Sequence, residues 1–276
     1  MKNYHDILFP FAYNILGSSE DAKDTIQDIL IKYFLIDKKH IENEIGYLIK
    51  SVINQSINLK KRNKKTTITD VWLPEPLSTE NTDDNINYNE ILSYSMLTLL
   101  EKLTAKERAV FILKVAFEYS HKEIAETIGF TIENSRKLLS RAKIKLNHNK
   151  TKNNSIQKNE TQELKLYIEA MQNGNMFALE KLLSKDIQLA ADGGKNIKVV
   201  RELTSGIPST SKLLLYVYRA FLTGLEVKNT IINHQPAILF YQKGELKNCQ
   251  IFEIEKNMIV NIYSIVDPNK LKSLSL

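Results

Sequence analysis

The cationic residues of this 276-residue chain are grouped rather than scattered. Residues 57–67 hold five lysines and arginines and no acid, and residues 132–150 hold six against one acid. Between these two groups, residues 68–101 contain seven acids and no lysine or arginine. Cationic groups of this kind bind a phosphate backbone with salt-dependent, sequence-independent affinity. The segregation favours an anionic polymer as partner, although one basic run alone is as often a solvated surface.

The second cationic group follows two predicted helix starts. Thr104-Ala-Lys-Glu107 and Ser120-His-Lys-Glu123 are capping boxes, in which hydroxyl and carboxylate satisfy backbone amides at a helix N-terminus. Gly129 suits the left-handed residue that ends a helix, and Thr131 can cap the helix that follows. Two helices joined by a short turn with glycine are typical of a helix-turn-helix.

The second helix of this motif has an apolar and a basic face. The apolar face contains Ser135, Leu138, Leu139, Ala142 and Leu146. The opposite face contains Arg136, Lys137, Ser140 and Arg141. Such a helix fits the DNA major groove, about 12 Å wide, where arginine pairs with guanine edges. These four residues are therefore candidate DNA contacts, and an ordinary helical hairpin with a basic surface is the alternative.

The first 66 residues predict helices that carry two more candidate surfaces. Apolar residues at helical spacing after the Gly17–Asp21 start are Ile26, Ile29, Leu30 and Phe34. The same helix presents Asp24, Gln27 and Asp28 on its polar side, as a solvated face or a docking surface. A helix predicted over about 42–62 ends in Lys60, Lys61 and Arg62, which are candidate phosphate contacts.

Two segments interrupt the helical pattern. Trp72-Leu-Pro-Glu-Pro76 contains two prolines, which remove backbone donors and disfavour helix in the preceding residue. Residues 147–159 are polar and without periodicity. Both predict linkers, and between them helical structure is expected to resume over 88–103.

The chain changes character after residue 160. Helical spacing recurs over about 161–172, 176–183 and 209–222. Runs typical of strands are residues 187–191, 225–232, 237–241, 249–254 and 258–266. The pattern predicts an α+β layer with helices on one face of a sheet. Taken alone, Asp192-Gly-Gly-Lys195 reads as a tight turn.

Composition excludes several classes of protein. The chain is 43% hydrophobic with a net charge of +6, and Cys249 is its single cysteine, so no internal disulfide is expected. No apolar run approaches the roughly 20 residues of a membrane span, and Ile7–Leu16 indicates a buried helix rather than a signal peptide. No spacing suggests a metal site, a cofactor or a catalytic residue. We expect a cytoplasmic, non-enzymatic protein without a membrane partner.

These motifs resemble the small alternative sigma factors of bacterial RNA polymerase, of the extracytoplasmic-function (ECF) type. Residues 17–28 are similar to the region 2 segment that grips polymerase, and residues 47–62 to the part that melts and reads the −10 element. Residues 103–111 and 123–142 resemble region 4, which reads the −35 element. The resemblance implies that Asp24, Gln27 and Asp28 bind core RNA polymerase and that the basic residues bind promoter DNA.

Three further motifs resemble a subgroup of these factors with a fused SnoaL-like domain. They are Trp72-Leu-Pro-Glu-Pro76, Asp192-Gly-Gly-Lys195 and Asp267-Pro-Asn-Lys-Leu271. The fold implied is multidomain, with all-α sigma regions 2 and 4 followed by an α+β SnoaL/NTF2-like cone. The implied divisions are region 2 over 1–66, a linker over 67–87, region 4 over 88–147, a linker over 148–159 and the cone over 160–276.

In this subgroup the cone is implied to act as an attached regulator that meets the first linker. The residues expected at that contact are Trp72, Pro74, Pro76, Asp192, Gly193, Gly194, Lys195, Asp267, Pro268, Asn269, Lys270 and Leu271. The acidic stretch 68–101 would connect regions 2 and 4 through the RNA path of polymerase. The sequence thus predicts a sigma factor modulated by its own C-terminal domain.

Two alternatives remain at the level of sequence. A helix-turn-helix regulator with a ligand-sensing cone would explain the basic helix and the sheet domain, and the cone could hold an unknown small ligand in either case. A SnoaL-like isomerase or cyclase is the less favoured alternative, because it needs an acid–base pair in a pocket. His234, the only histidine of that region, falls in a predicted turn.

Overall fold

In the computed structural model, the residues described are 4–39, 41–64, 72–80, 88–146, 160–195, 197–200 and 203–274. They belong to two units, the first drawn from residues 1–68, 81–92 and 96–152 and the second from residues 69–80, 93–95 and 153–276. The Trp72–Pro76 segment therefore belongs to the second unit. The predicted linker over 148–159 lies outside the described residues.

Helices account for most of the described residues up to 146. They are α1 (Tyr4–Leu16), α2 (Ser19–Leu35), α3 (Glu44–Lys64), α4 (Tyr94–Leu99), α5 (Ala105–Val115), α6 (His121–Ile128) and α7 (Ile132–Leu146), with 3₁₀ turns at Tyr88–Glu90 and Leu100–Lys102. The helical structure predicted over 88–103 is interrupted at residues 91–93. There the side chain of Asn14 donates through Nδ2 to the backbone carbonyl of Glu90 (2.7 Å). Its Oδ1 accepts from the backbone amide of Leu92 (3.0 Å). These backbone groups bond to a side chain instead of continuing a helix.

The first unit has one hydrophobic core shared by its early and late helices. Its buried residues include Phe11 and Ile15 of α1, Ile53 and Ile57 of α3, Phe111 of α5 and Leu139 of α7. The Asn54 side chain of α3 also donates to the Thr127 carbonyl of α6 (2.9 Å). The segments that resemble regions 2 and 4 are therefore packed together.

The apolar side of α2 differs in one respect from the prediction. Ile26 and Ile29 are buried as expected, but Phe34 is 61% exposed. Tyr33 is buried in its place and donates from its hydroxyl to Glu44 Oε1 (2.5 Å). The expectation for Phe34 is wrong because Tyr33, four residues after Ile29, takes the position on the buried face.

The second unit combines helices with one six-stranded sheet among its described residues. Its helices are α8 (Glu160–Gln172), α9 (Met176–Leu182), α10 (Ile207–Val217), followed by a π-helical turn at Tyr218–Leu222, and α11 (Pro268–Leu271), followed by a 3₁₀ turn at Lys272–Leu274. Its strands are β1 (Leu183–Asp192), β2 (Thr204–Ser205), β3 (Glu226–Ile232), β4 (Gln235–Gln242), β5 (Glu245–Glu255) and β6 (Met258–Ile265). The strand order is β2-β1-β6-β5-β4-β3, with only β1 and β6 parallel.

The two faces of this sheet have different cover. Because strand side chains alternate, Ile238, Phe240 and Phe252 share one face and pack with α8, α9 and α10. We call this the helical face. The opposite face, here called the linker face, is covered by Leu73, Tyr94, Leu271 and Leu274. The predicted α+β layer with helices on one face is confirmed, and the other face is closed by the linker segment and the C-terminal helix.

Among the described residues, no helix combines the length and hydrophobicity that a transmembrane span needs.

Candidate nucleic-acid interface and linker site

The predicted caps position the helix-turn-helix. Both capping boxes form, with Thr104 accepting from the Glu107 amide (3.3 Å) and Ser120 from the Glu123 amide (3.2 Å). Helix α6 ends at Gly129, whose φ of 78° is left-handed. The Thr131 hydroxyl then accepts from the Asn134 amide (3.1 Å) at the start of α7. These local signals fix the turn between α6 and α7.

The faces of α7 divide as the sequence predicts. Ser135, Leu138, Leu139, Ala142 and Leu146 are buried. Arg136, Lys137, Ser140 and Arg141 are exposed. The Lys137 ammonium lies 2.5 Å from Glu133 Oε1 one turn earlier, at an exposed position. A helix with one buried and one basic face can enter a DNA groove without disturbing the core beneath it.

A histidine that the sequence reasoning did not assign connects α6 to α7. His121 Nδ1 lies 2.9 Å from Ser135 Oγ, the buried hydroxyl on the inner face of α7. Burial lowers the pKa of His121, and the nearby charges of Lys114, Arg136 and Lys143 lower it further. The neutral imidazole is therefore favoured beside the basic face.

Of the three basic residues expected to contact phosphates near the end of α3, Lys60 is placed differently from the other two. Lys61 and Arg62 are exposed. The Lys60 side chain is only 12% exposed, and its ammonium donates to the Leu16 carbonyl (2.8 Å) and to Glu101 Oε1 (2.9 Å). The structure thus corrects the expectation for Lys60, because a distant carboxylate and carbonyl hold it inside the first unit.

The Lys60 contact belongs to a largely buried ionic group that we call the Glu101 cluster, formed by Lys60, Glu101 and Arg108, whose side chains are 12%, 25% and 0% exposed. Arg108 is fully buried, and its guanidinium donates to Glu101 Oε1 through Nη1 and to the Asn14 carbonyl through Nε (2.9 Å). Arg108 Nη2 has no hydrogen-bond partner among the described residues. Sequence reasoning missed this cluster, since nothing local signals that an arginine in an amphipathic helix will be buried.

The polar face expected on α2 is exposed. Asp24, Gln27 and Asp28 all lie on the solvent side of the helix. Three large apolar side chains close to them in the chain are also exposed: Ile31 (52%), Phe34 (61%) and Leu35 (81%). The end of α2 therefore combines carboxylates with large apolar side chains, a feature the sequence reasoning did not anticipate for Phe34.

The structure brings the linker motif to both C-terminal motifs. Asp192 Oδ2 accepts from the Leu73 amide (2.8 Å) and pairs with the Lys270 ammonium (2.6 Å). Lys270 also donates to the Leu73 carbonyl (2.5 Å) and lies 4.4 Å from the centre of the Trp72 ring. We call this group, Trp72, Leu73, Asp192 and Lys270, the Asp192 cluster. It holds one linker residue by both its amide and its carbonyl.

The rest of the linker segment is held along its length. The Tyr94 hydroxyl donates to the Pro74 carbonyl (2.6 Å), and the Ser273 hydroxyl donates to the Pro76 carbonyl (3.1 Å). The Leu77 amide donates to Asn233 Oδ1 (2.9 Å), and Ser78 forms a β-bridge with Ile232 of the edge strand β3. The segment thus adds to a sheet edge that would otherwise expose unpaired backbone groups.

The remaining residues of the C-terminal motifs shape this site or lie outside it. Gly194 has a φ of 61°, and a Cβ there would meet Asp267 Oδ2 at 2.3 Å. A Cβ on Gly193 would meet the Ile197 carbonyl oxygen at 2.1 Å. Asp267 caps α11 by accepting from the Asn269 amide (3.0 Å), with Pro268 in the first turn and Leu271 buried. Lys195 is exposed, and no contact with the linker is described for it.

The described residues contain no group of three or more His, Cys, Asp or Glu side chains placed to hold a metal ion. His234 has a φ of 60° in the turn after β3, and its amide donates to the Thr79 hydroxyl (3.0 Å).

Comparisons with known proteins agree with this arrangement. Residues 94–146 match the family described as Sigma-70, region 4. A probable ECF RNA polymerase sigma factor, SigI of Mycobacterium tuberculosis, is 24% identical over 97% of this chain and 92% of its own length. The RNA polymerase sigma factor YlaC of Bacillus subtilis is 26% identical over 55% of this chain and 90% of its own.

A solved structure resembles the fold over almost the whole chain. It is the crystal structure of the M. tuberculosis extracytoplasmic function sigma factor SigJ, with a TM-score of 0.79 and 19% identity over 98% of this chain and 96% of that one. The likeness covers the helical unit and the sheet unit alike. Residues 94–146 thus match sigma region 4, and almost the whole chain is similar to ECF sigma factors in sequence and in fold.

Proposed function

We propose that this chain is a non-catalytic promoter-specificity subunit of bacterial RNA polymerase, modulated by its own C-terminal unit. The observation that carries the proposal is the face of α7, where Arg136, Ser140 and Arg141 are exposed above a buried apolar stripe. This helix would enter the major groove at the −35 element. Function as a subunit of bacterial RNA polymerase would place the chain in the cytoplasm.

Core polymerase would bind the end of α2. The exposed carboxylates of Asp24 and Asp28 supply charge, and Phe34 and Leu35 supply apolar surface. Interfaces commonly combine aromatic anchors with a polar rim, and exposed apolar patches mark such surfaces. The mixture of charged and apolar groups at one helix end supports docking here rather than mere solvation.

The basic residues would divide into two roles. Arg136 and Arg141 are exposed on α7 and suit base edges, which carry sequence information. Lys137 and Ser140 would orient the helix on the phosphate backbone. Near the −10 element, phosphate contacts would come from Lys61 and Arg62, because Lys60 is held in the Glu101 cluster.

Regulation would work through the linker. In this structure Trp72–Pro76 is packed into the second unit by the Asp192 cluster and Tyr94. A linker that follows the RNA path of polymerase cannot keep these contacts. We propose that polymerase binding competes with the second unit for the linker, so that the strength of the Asp192 cluster sets the fraction of chain ready to bind.

Charge reversal on α2 tests the polymerase contact. Asp24→Lys with Asp28→Lys is expected to abolish co-purification with core polymerase while preserving the fold, since both residues are exposed. The matched control is Asp186→Lys with Glu255→Lys, two exposed acids of the second unit, which should leave binding unchanged. Wild-type run-off transcription by the α2 variant would contradict the assignment.

Promoter reading is tested by comparing arginine and lysine variants on mutated promoters. Arg136→Ala or Arg141→Ala should cost about 1–3 kcal/mol and relax the preference at one −35 position. Lys61→Ala should instead weaken all promoters alike and reduce the salt dependence of binding. If both arginine variants lose affinity equally on every promoter, these residues contact phosphates and not bases.

A further inference from the structure

The second unit contains a cavity between the helical face of its sheet and α10. Its volume is about 620 Å³, within the range of roughly 300–1,000 Å³ that small-molecule sites occupy. Most of its lining is apolar, including Leu189, Leu213, Leu214, Val217, Leu222 and Leu225. The π-helical turn at Tyr218–Leu222 supplies part of this wall, and π-helical turns are frequent at functional sites. A cavity of this size and character suits an apolar organic molecule.

One buried polar group in the cavity wall is only half satisfied. Asn248 on β5 is 2% exposed and donates through Nδ2 to Ser264 Oγ (2.9 Å). Its carbonyl oxygen, Oδ1, receives no hydrogen bond from the described residues. A buried acceptor without a donor is costly and calls for a partner. A hydroxyl or N–H of a bound molecule would supply the missing donor.

The neighbouring polar residue of the wall behaves differently. Gln250, two positions along β5 on the same face, is also buried, but its Oε1 accepts from the Tyr167 hydroxyl (3.1 Å). That side chain therefore has its donor within the protein. The contrast singles out Asn248 Oδ1 as the polar recognition point of the cavity.

The outer part of the wall explains how a molecule would enter. Four apolar residues line the cavity and are also exposed to solvent, by 41% to 67%: Ile197, Val200, Tyr216 and Phe221. Exposed apolar side chains around one opening mark a binding surface. The described lining includes Lys198 and Lys247 but no Asp or Glu, although Lys247 also pairs with Glu245 (2.5 Å) beside the lining. The site therefore suits a neutral or anionic molecule and disfavours a cation.

We propose that this cavity binds a largely apolar small molecule, neutral or singly anionic, whose hydroxyl or N–H donates to Asn248 Oδ1. The binding site is independent of the promoter-specificity role proposed above. Its test therefore reads binding directly, in the purified full-length chain, and loss of sigma activity would not affect the outcome.

The test uses a fluorescent probe and a matched pair of competitors. 1-Anilinonaphthalene-8-sulfonate, an apolar anion with one N–H, should bind the full chain and be displaced by 1-naphthol. 1-Methoxynaphthalene has nearly the same shape but no donor, and it should compete about tenfold less well. Equal competition by the two naphthalenes in the wild-type chain would overturn the proposal.

Two variants and a control keep the result interpretable. Asn248→Leu should remove the preference for 1-naphthol, and Val217→Phe, which fills the cavity from α10, should weaken the probe and both competitors. The control is Thr210→Val, because Thr210 has a buried hydroxyl without a described partner but does not line the cavity. It should retain the wild-type preference. A preference that survives Asn248→Leu, or probe binding unaffected by Val217→Phe, would place the ligand elsewhere and contradict the site.

Discussion

The two units each contain a largely buried ionic cluster, and the clusters differ in charge balance. The Glu101 cluster of the first unit sets two cations, Lys60 and Arg108, against one carboxylate. The Asp192 cluster of the second unit pairs one cation, Lys270, with one carboxylate. Polar satisfaction differs as well. Arg108 Nη2 has no acceptor among the described residues, whereas Asp192 accepts from Leu73, Gly194 and Lys270.

This difference separates two uses of a buried charge. A balanced, fully bonded pair holds a segment in one position, as Asp192 and Lys270 hold the backbone of Leu73. An unbalanced group with an unsatisfied donor stabilises its surroundings less, because desolvation is only partly offset. The Glu101 cluster joins α1, α3 and α5, so the early and late helices of the first unit meet where Arg108 Nη2 has no acceptor among the described residues.

Neutralising the carboxylate of each cluster should lower the free energy of unfolding of its unit, with the larger loss in the first unit. Glu101→Gln removes the carboxylate that Lys60 and Arg108 share. We expect a loss of about 3–5 kcal/mol in the free energy of unfolding of the first unit, the cost of breaking a buried ion pair. Urea denaturation followed by far-ultraviolet circular dichroism measures it.

The control is removal of the surplus cation. Arg108→Met keeps apolar bulk in the buried site and leaves a balanced pair between Lys60 and Glu101. Its cost should be clearly smaller than that of Glu101→Gln. If Arg108→Met proves the more destabilising change, the surplus-charge account of this cluster is wrong.

The equivalent change in the second unit should be milder and should act on the linker. Asp192→Asn removes the charge facing Lys270, whose side chain is 14% exposed and can reach water. We expect a loss of about 2 kcal/mol, as for a hydrogen bond to a charged group. Trp72, the single tryptophan of the chain, reports the change directly through a red shift of its fluorescence.

Asp186→Asn is the matched control, because Asp186 lies on the same strand, β1, but is exposed. It should change neither the emission of Trp72 nor the stability of the second unit. Unshifted tryptophan emission in Asp192→Asn would show that the linker is held without this cluster.

The part of this picture that follows from sequence is the local part. Both capping boxes, the left-handed Gly129 and the two faces of α7 depend on residues within four positions of one another, and all of them are confirmed. The meeting of Trp72, Asp192 and Lys270 spans almost 200 residues. It was expected only from resemblance to a family, since no spacing along the chain implies it.

Where prediction failed, a distant partner decided the outcome. Lys60 was expected on the surface, but a carbonyl on α1 and a carboxylate 41 residues away draw it inward. Phe34 was expected inside, but its neighbour Tyr33 takes the buried position and donates to Glu44 of α3. The free acceptor of Asn248 likewise becomes visible only when the sheet and α10 enclose it. The spacing of residue types along the chain does not reveal such distant partners.

Weakening the Asp192 cluster should also change polymerase affinity, by less than it changes stability. If the packed linker competes with polymerase, Asp192→Asn should increase the affinity for core polymerase by up to about tenfold, which corresponds to 1.4 kcal/mol. Fluorescence anisotropy of labelled chain titrated with core polymerase measures this, beside Asp186→Asn. Equal or weaker binding by Asp192→Asn would remove the cluster from the proposed regulation.

Acidification should change the stabilities of the two units in opposite directions, by a smaller amount still. Burial raises the pKa of Glu101, but the adjacent Arg108 and Lys60 outweigh it, so this pKa lies below its ordinary value. A carboxyl with a lowered folded pKa stabilises fully above its unfolded pKa of about 4.3, and this contribution is lost as pH falls further. In the second unit, burial raises the pKa of Glu253, partly opposed by a hydrogen bond from Asn261.

The sign for Glu253 is therefore opposite. Above its raised pKa the folded state carries a buried charge at a cost, and this cost is relieved as pH falls towards the unfolded value of about 4.3. As the pH falls from 7 to 3, the urea midpoint of the second unit, read by Trp72, should rise relative to that of the first, read by helical circular dichroism. Glu253→Gln should abolish the relative rise in the urea midpoint of the second unit. Glu101→Gln should reduce the fall in the urea midpoint of the first unit below about pH 4.3. Parallel midpoints in the wild-type chain would show that the two carboxyls are not held in contrasting environments.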